Sequence, residues 1–127
     1  FGEIGFREIE RKILLKILDK NGAFILSLGG GTPCYFDNME MIQKKTDLSF
    51  YINLDSKVLA KRLFTRKQTR PLIKSIENEQ EMLIFVNKHL FERNLFYQKA
   101  RYIIDCGEND IKKTCKSIIQ ILEKNSF

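Results

Sequence analysis

A run of three glycines and three well-separated arginines carry the chemistry this sequence could perform. Gly29-Gly30-Gly31 follows the apolar run Ala23-Phe24-Ile25-Leu26-Ser27-Leu28. Without a Cβ, glycines let a backbone approach a ligand closely and leave N–H groups free as donors. A plain tight turn uses the same residues, so the position of the triplet decides its meaning. Arg7 lies in Phe6-Arg7-Glu8-Ile9-Glu10, where Arg7 and Glu10 are i,i+3 neighbours on a helix. Glu10 can hold one side of the guanidinium and leave the other free to fork onto a carboxylate or phosphate. An ordinary surface ion pair has the same spacing. Arg70 precedes Pro71 in a long polar stretch, and Pro fixes the backbone beside it. That suits a lid carrying a cation over a phosphoryl group, and equally a solvated loop. Arg62 and Arg66 lie just before it, and Arg93 stands in Glu92-Arg93-Asn94-Leu95-Phe96-Tyr97.

These groups need elements to position them, and hydrophobic periodicity supplies the elements. Ile9, Ile13, Leu14, Ile17 and Leu18 form one apolar face, so residues 8–18 are expected as a helix that Asn21-Gly22 stops. Residues 23–28 lack alternation and read as a strand buried on both faces, ending at the glycines. Asp37-Asn38 is expected to cap a short helix to about residue 44. Residues 48–54 read as a second strand, and Asp55-Ser56 as the cap of a helix to about residue 64. Residues 65–78 are polar and contain Pro71, a loop or lid. A long helix over 79–100, a strand over 101–105, a turn over 107–110 and a helix over 110–124 complete the chain. Helices alternating with strands imply an α/β fold, a parallel sheet with helices on both faces. Ligands in such sheets bind beyond the carboxyl ends of the strands, where the glycines lie.

Composition narrows the function classes. The chain has 127 residues, 43% hydrophobic and 30% charged, which is the composition of one globular domain rather than a disordered tail. Its two Pro and seven Gly exclude collagen-like and low-complexity classes. The apolar runs are far too short for a membrane span. The net charge of +6 would attract anions, but the lysines do not cluster, which suits a merely solvated surface. Cys34, Cys106 and Cys115 are odd in number and make no CxxC, so neither a disulfide framework nor a zinc site is expected, and no metal ligands are assigned. Reduced thiols point to the cytoplasm. His89 is the one histidine and is expected as a solvated helix residue. The first residue is Phe1, not Met, so a piece of a longer polypeptide is expected.

The order FR-x-x-E, strand-GGG, RPL[IL] and R-x-x-x-Y-x-x-A, carried by Phe6 to Glu10, Gly29 to Gly31, Arg70 to Ile73 and Arg93 to Ala100, resembles shikimate kinase, a small kinase of the P-loop nucleoside-monophosphate-kinase type. The resemblance runs from about residue 2 to residue 105. It implies a three-layer α/β/α fold and phosphoryl transfer from Mg-ATP to the 3-hydroxyl of shikimate, a step of aromatic amino-acid biosynthesis. It implies that Arg7 binds the shikimate carboxylate with Arg93, that Gly30 bonds shikimate through its backbone between Gly29 and Gly31, and that Phe6 lines the same pocket. The resemblance also implies that Arg70 is the catalytic cation reaching the ATP phosphates. Arg62 approximates an arginine near the adenine, with one extra residue before RPL. Shikimate and Mg-ATP are the expected ligands, the chain is expected as a cytoplasmic monomer, and no nucleic acid or membrane partner is expected.

One motif is missing. A P-loop kinase uses G-x-x-x-x-G-K-[ST], and no Gly-Lys pair occurs anywhere in this chain. Residues 1–127 are therefore expected as the C-terminal part of a shikimate-kinase-like domain lacking its first strands and P-loop, inactive alone. Three other readings remain open from the residues: a related small-molecule kinase of the gluconate-kinase type, a basic nucleic-acid-binding module, and a regulatory remnant that binds the acid alone. Ten Phe and four Tyr permit the nucleic-acid reading, but they fall mostly where a core wants them.

Overall fold

A computed structural model describes residues 2–107 and 110–125. The first helix, α1 (Gly2–Leu18), starts six residues before the expected position. Ile4 and Phe6 in its opening turns are exposed, so no buried stripe marks that part of the helix in the sequence. Glu3 in the first turn complements the positive end of the helix dipole. Gly22 follows with φ +92°, a left-handed turn that suits glycine.

Residues 23–28 depart from expectation. They form no strand and pair with no strand among the described residues. Burial on both faces needs a covering layer on each side. Here only Leu26 packs inward, while Ile25 is 96% exposed. The chain then passes the glycines into a 3-10 turn (Thr32–Cys34) and α2 (Asn38–Lys45). Asp37 stands at the start of α2 without the expected side-chain cap. Its carboxylate goes instead to the Arg11 guanidinium of α1. Leu14 and Leu18 of α1 meet Met39 and Ile42 of α2 in the first of two small cores.

Strand β1 (Phe50–Leu54) leads into α3 (Ser56–Thr65), where the Asp55 carboxylate accepts the Lys57 N–H as the sequence implied. The loop over 65–78 contains a 3-10 turn (Lys67–Thr69). It is followed by α4 (Glu79–Tyr97), β2 (Tyr102–Cys106) and α5 (Ile111–Lys124). Of the turn expected over 107–110, residues 108 and 109 lie outside the described residues. β1 and β2 are parallel, in register from Phe50 opposite Tyr102 to Leu54 opposite Cys106. Parallel neighbours need a long crossover, and α3, the loop and α4 provide it. The result is a parallel sheet flanked by helices, with two strands where three were expected.

The second core lies within that crossover. Ala60, Ile73, Met82 and Val86 are buried together, with Leu63, Phe64 and Phe85 packed around them. Ile73 comes from the loop and is buried in this core, and Ile76 packs against it, so the loop carrying Arg70 is anchored to α3 and α4 on its C-terminal side.

Candidate functional site

Arg7 is held on several sides. Its Nη1 donates to Glu10 Oε1 at 3.0 Å, and Thr32 Oγ1 donates to Glu10 Oε2 at 2.9 Å. The carboxylate thus ties α1 to the turn after the glycines. The Tyr35 ring covers the guanidinium at 4.2 Å, with Phe6 at 5.1 Å. The Tyr35 hydroxyl in turn donates to Glu3 Oε1 at 2.6 Å. Phe36, at φ +51°, makes the turn that follows Tyr35. The Arg7 side chain is only 14% exposed. Burial works against its charge, but Glu10 and Tyr35 outweigh this and hold the guanidinium firmly protonated. Its Nε–H is buried without a partner among the described residues, a cost that native structures keep at few places.

Arg93 approaches the glycines from α4. A Cβ placed on Gly30 would stand 3.0 Å from Arg93 Nη1 and 3.3 Å from Tyr97 Oη. One placed on Gly31 would stand 2.6 Å from Arg7 Nη2. Two guanidinium groups from separate helices therefore meet at adjacent glycines, and only glycines leave them the space. The Tyr97 hydroxyl donates to the Gly30 carbonyl, and the Cys34 thiol lies 3.8 Å from the same oxygen. Burial raises the Cys34 thiol pKa, while the charges of Arg93 and Arg7 pull it down. The Tyr97 hydroxyl is also raised by burial, against the opposing effect of Arg93.

A cavity of about 1240 Å³ opens beside this cluster. Gly29, Gly30, Arg93 and Tyr97 line one part of it, Phe50 to Ile52 of β1 another, and Arg70 and Pro71 of the loop a third. Arg70 is exposed at its rim. A held cation behind the glycines, a second on the cavity wall, a bare backbone and a third cation on a loop suit a small anionic ligand.

Not every expected residue joins it. Arg62 is exposed on α3 and does not line the cavity. Phe6 is 52% exposed and flanks Arg7, and neither of them nor Gly31 lines the cavity: Arg7 lies behind the glycines rather than on its wall. His89 differs from its expected solvated state: it is half-buried, lines the cavity and lies 4.2 Å from the Phe85 ring. Burial, then Arg93, lowers its pKa and favours the neutral imidazole. Sequence reasoning also missed Tyr35 and Thr32. Nothing in the spacing announces a contact made across 22 or more positions. Among the described residues no three His, Cys, Asp or Glu side chains gather to hold a metal ion. Cys34, Cys106 and Cys115 are all free thiols.

Comparison with known proteins places the chain in a family. The family model for shikimate kinase matches residues 1–123. A shikimate kinase of Flavobacterium johnsoniae is 37% identical over 121 residues, which is 95% of this chain and 70% of that protein. The shikimate kinase of Flavobacterium psychrophilum is 42% identical over 103 residues, 81% of this chain and 59% of that one. The crystal structure of a Bacteroides thetaiotaomicron shikimate kinase superposes with a TM-score of 0.83 at 31% identity, covering 99% of this chain and 70% of its own.

Proposed function

The chain belongs to the shikimate kinase family, and from that premise we propose that its own residues form the acid-gripping part of ATP-dependent shikimate phosphorylation. Arg7 and Arg93 take the shikimate carboxylate, and the bare backbone at Gly30, between Gly29 and Gly31, supplies a donor. Phe6 supports Arg7 from the side. Arg70 draws toward the ATP phosphates from the cavity rim, where its charge acts most strongly as negative charge builds in the transferring group. Arg62 takes an outer place near the nucleotide. The 3-hydroxyl oxygen bonds to the γ-phosphorus as the bond from that phosphorus to the ADP oxygen breaks. The hydroxyl proton is given up and released to solvent with the products, and the loop keeps water from competing as acceptor.

ATP is the phosphoryl donor of the family. Mg²⁺ enters on this reading with the ATP phosphates, and no step is assigned to an ion held by the described residues. Residues 1–127 act as one domain, with residues 65–78 as its lid. The rest of the reading is a cytoplasmic monomer with no nucleic-acid or membrane partner. Among the described residues no helix is long and apolar enough to cross a membrane.

The observation that supports the proposal most is the convergence of Arg7 and Arg93 on adjacent glycines. Arg7→Ala removes a charge-assisted contact and should weaken shikimate binding by about 1.5–3 kcal/mol. Calorimetric titration of the chain with shikimate checks this, and an unchanged Kd would remove Arg7 from the pocket.

A further inference from the structure

We propose that Tyr97 is a positioning residue of the acid site, one that prevents the Gly30–Gly31 peptide from flipping. The proposal rests on the shikimate reading of the same site. Tyr97 is the last residue of α4, one turn beyond Arg93, so both side chains reach Gly30. The Tyr97 hydroxyl donates to the Gly30 carbonyl oxygen. That oxygen belongs to the Gly30–Gly31 peptide, which is planar and trans, so holding it toward α4 aims the Gly31 N–H the opposite way. Among the described residues the Gly31 N–H has no backbone acceptor, and Gly31 is buried against the Arg7 guanidinium, so on this proposal the N–H serves the part of the carboxylate that Arg7 holds.

Glycine makes this restraint necessary. A peptide between two glycines rotates at little steric cost, because neither residue has a Cβ to forbid the mirror-image conformations. Rotated by half a turn, the Gly30 carbonyl would point where the N–H now points. It would then place a negative dipole against the bound carboxylate, in a site that Arg7 and Arg93 build for an anion. The phenol is itself held. The Tyr97 ring lies 5.1 Å from that of Tyr51 on β1, and the Tyr51 hydroxyl donates to Asn94 Oδ1 at 3.2 Å, one turn back on α4. β1 and α4 thereby fix the ring, and the ring fixes the glycines.

Tyr97→Phe keeps the ring on Tyr51 and removes only the hydroxyl. With the chain labelled with ¹⁵N-glycine, this variant should raise the shikimate Kd about three- to tenfold, the worth of one hydrogen bond. It should lower the unfolding midpoint by no more than one lost hydrogen bond is worth, about three- to tenfold in the folding equilibrium, and it should shift or broaden the Gly31 amide resonance before any ligand is added. An unchanged Kd overturns the proposal. A raised Kd with a midpoint lowered well beyond that amount and changes spread over all glycine resonances also overturns it, because the tyrosine would then be merely structural. A wild-type chain that binds no shikimate, with the Gly31 resonance still sensitive to Tyr97→Phe, overturns the acid reading and this proposal with it. That outcome is distinct from an unchanged Kd in a chain that does bind.

Discussion

Gly31 lies against the Arg7 guanidinium so closely that a Cβ would stand 2.6 Å from Nη2, 2.8 Å from Nη1 and 2.9 Å from Cζ. Its backbone, at φ −88° and ψ −16°, is ordinary for alanine. Gly31→Ala therefore strains no dihedral and acts through the guanidinium alone. Arg7 cannot retreat freely, because Glu10 fixes one edge and Tyr35 covers its face. Shikimate affinity should fall at least as far as one charge-assisted contact is worth, about tenfold, and the unfolding midpoint should fall too, by what about 1–3 kcal/mol of overpacking is worth. Titration calorimetry paired with thermal denaturation checks both halves. At this scale the sequence was readable where partners share a helix: the i,i+3 spacing of Arg7 and Glu10 holds in the structure. It was silent on Thr32 and Tyr35, whose contacts with Glu10 and Arg7 are made by the path of the chain between them.

Among the elements, the loop between α3 and α4 has its most deeply buried anchor at Ile73, with Ile76 packed beside it. Ile73 is 4% exposed in the α3–α4 core, while its neighbour Leu72 is 88% exposed. Ile73→Ala should cost about 2–5 kcal/mol, the usual range for emptying a buried aliphatic site. Chemical denaturation measures the loss, and limited proteolysis should find residues 66–76 cut sooner than in the wild type. Helix positions were largely legible because each helix carries an apolar stripe or a cap: Asp55 and Asn78 both accept backbone N–H groups at helix starts. Residues 23–28 were misread as a paired strand because an apolar run reports what a segment could bury, not whether neighbours exist to bury it. The loop position of Arg70 was legible from Pro71 and the polar run. The burial of Ile73 was not, since Leu72, Ile73 and Ile76 show no helix or strand period that would tell the buried one from its exposed neighbour.

For the molecule as a whole, the family is established while a central motif is missing from the sequence. The chain contains no Gly-Lys pair, so it has no lysine placed on a phosphate-binding loop of the usual pattern. It also spans 70% of the Flavobacterium johnsoniae and Bacteroides thetaiotaomicron proteins it resembles. The chain by itself should therefore produce no ADP above background from ATP and shikimate in a coupled assay, even where calorimetry detects the acid. Substantial turnover would show that the phosphates are held by residues other than those assigned.

The parallel ladder sets an order of events for the polypeptide itself. Asn53 and Asp105 bond side chain to side chain across 52 positions, and the whole of α3, the loop and α4 lies between them. Joining such distant segments costs loop-closure entropy before any ladder bond forms, whereas α3 and α4 are sequence neighbours that can zip together early. High contact order slows folding. The helical hairpin is thus the natural nucleus and the two strands the last pieces to dock. Because the acid site draws Arg93 and Tyr97 from that hairpin and its glycines from outside it, ligand binding matures only at the end of folding.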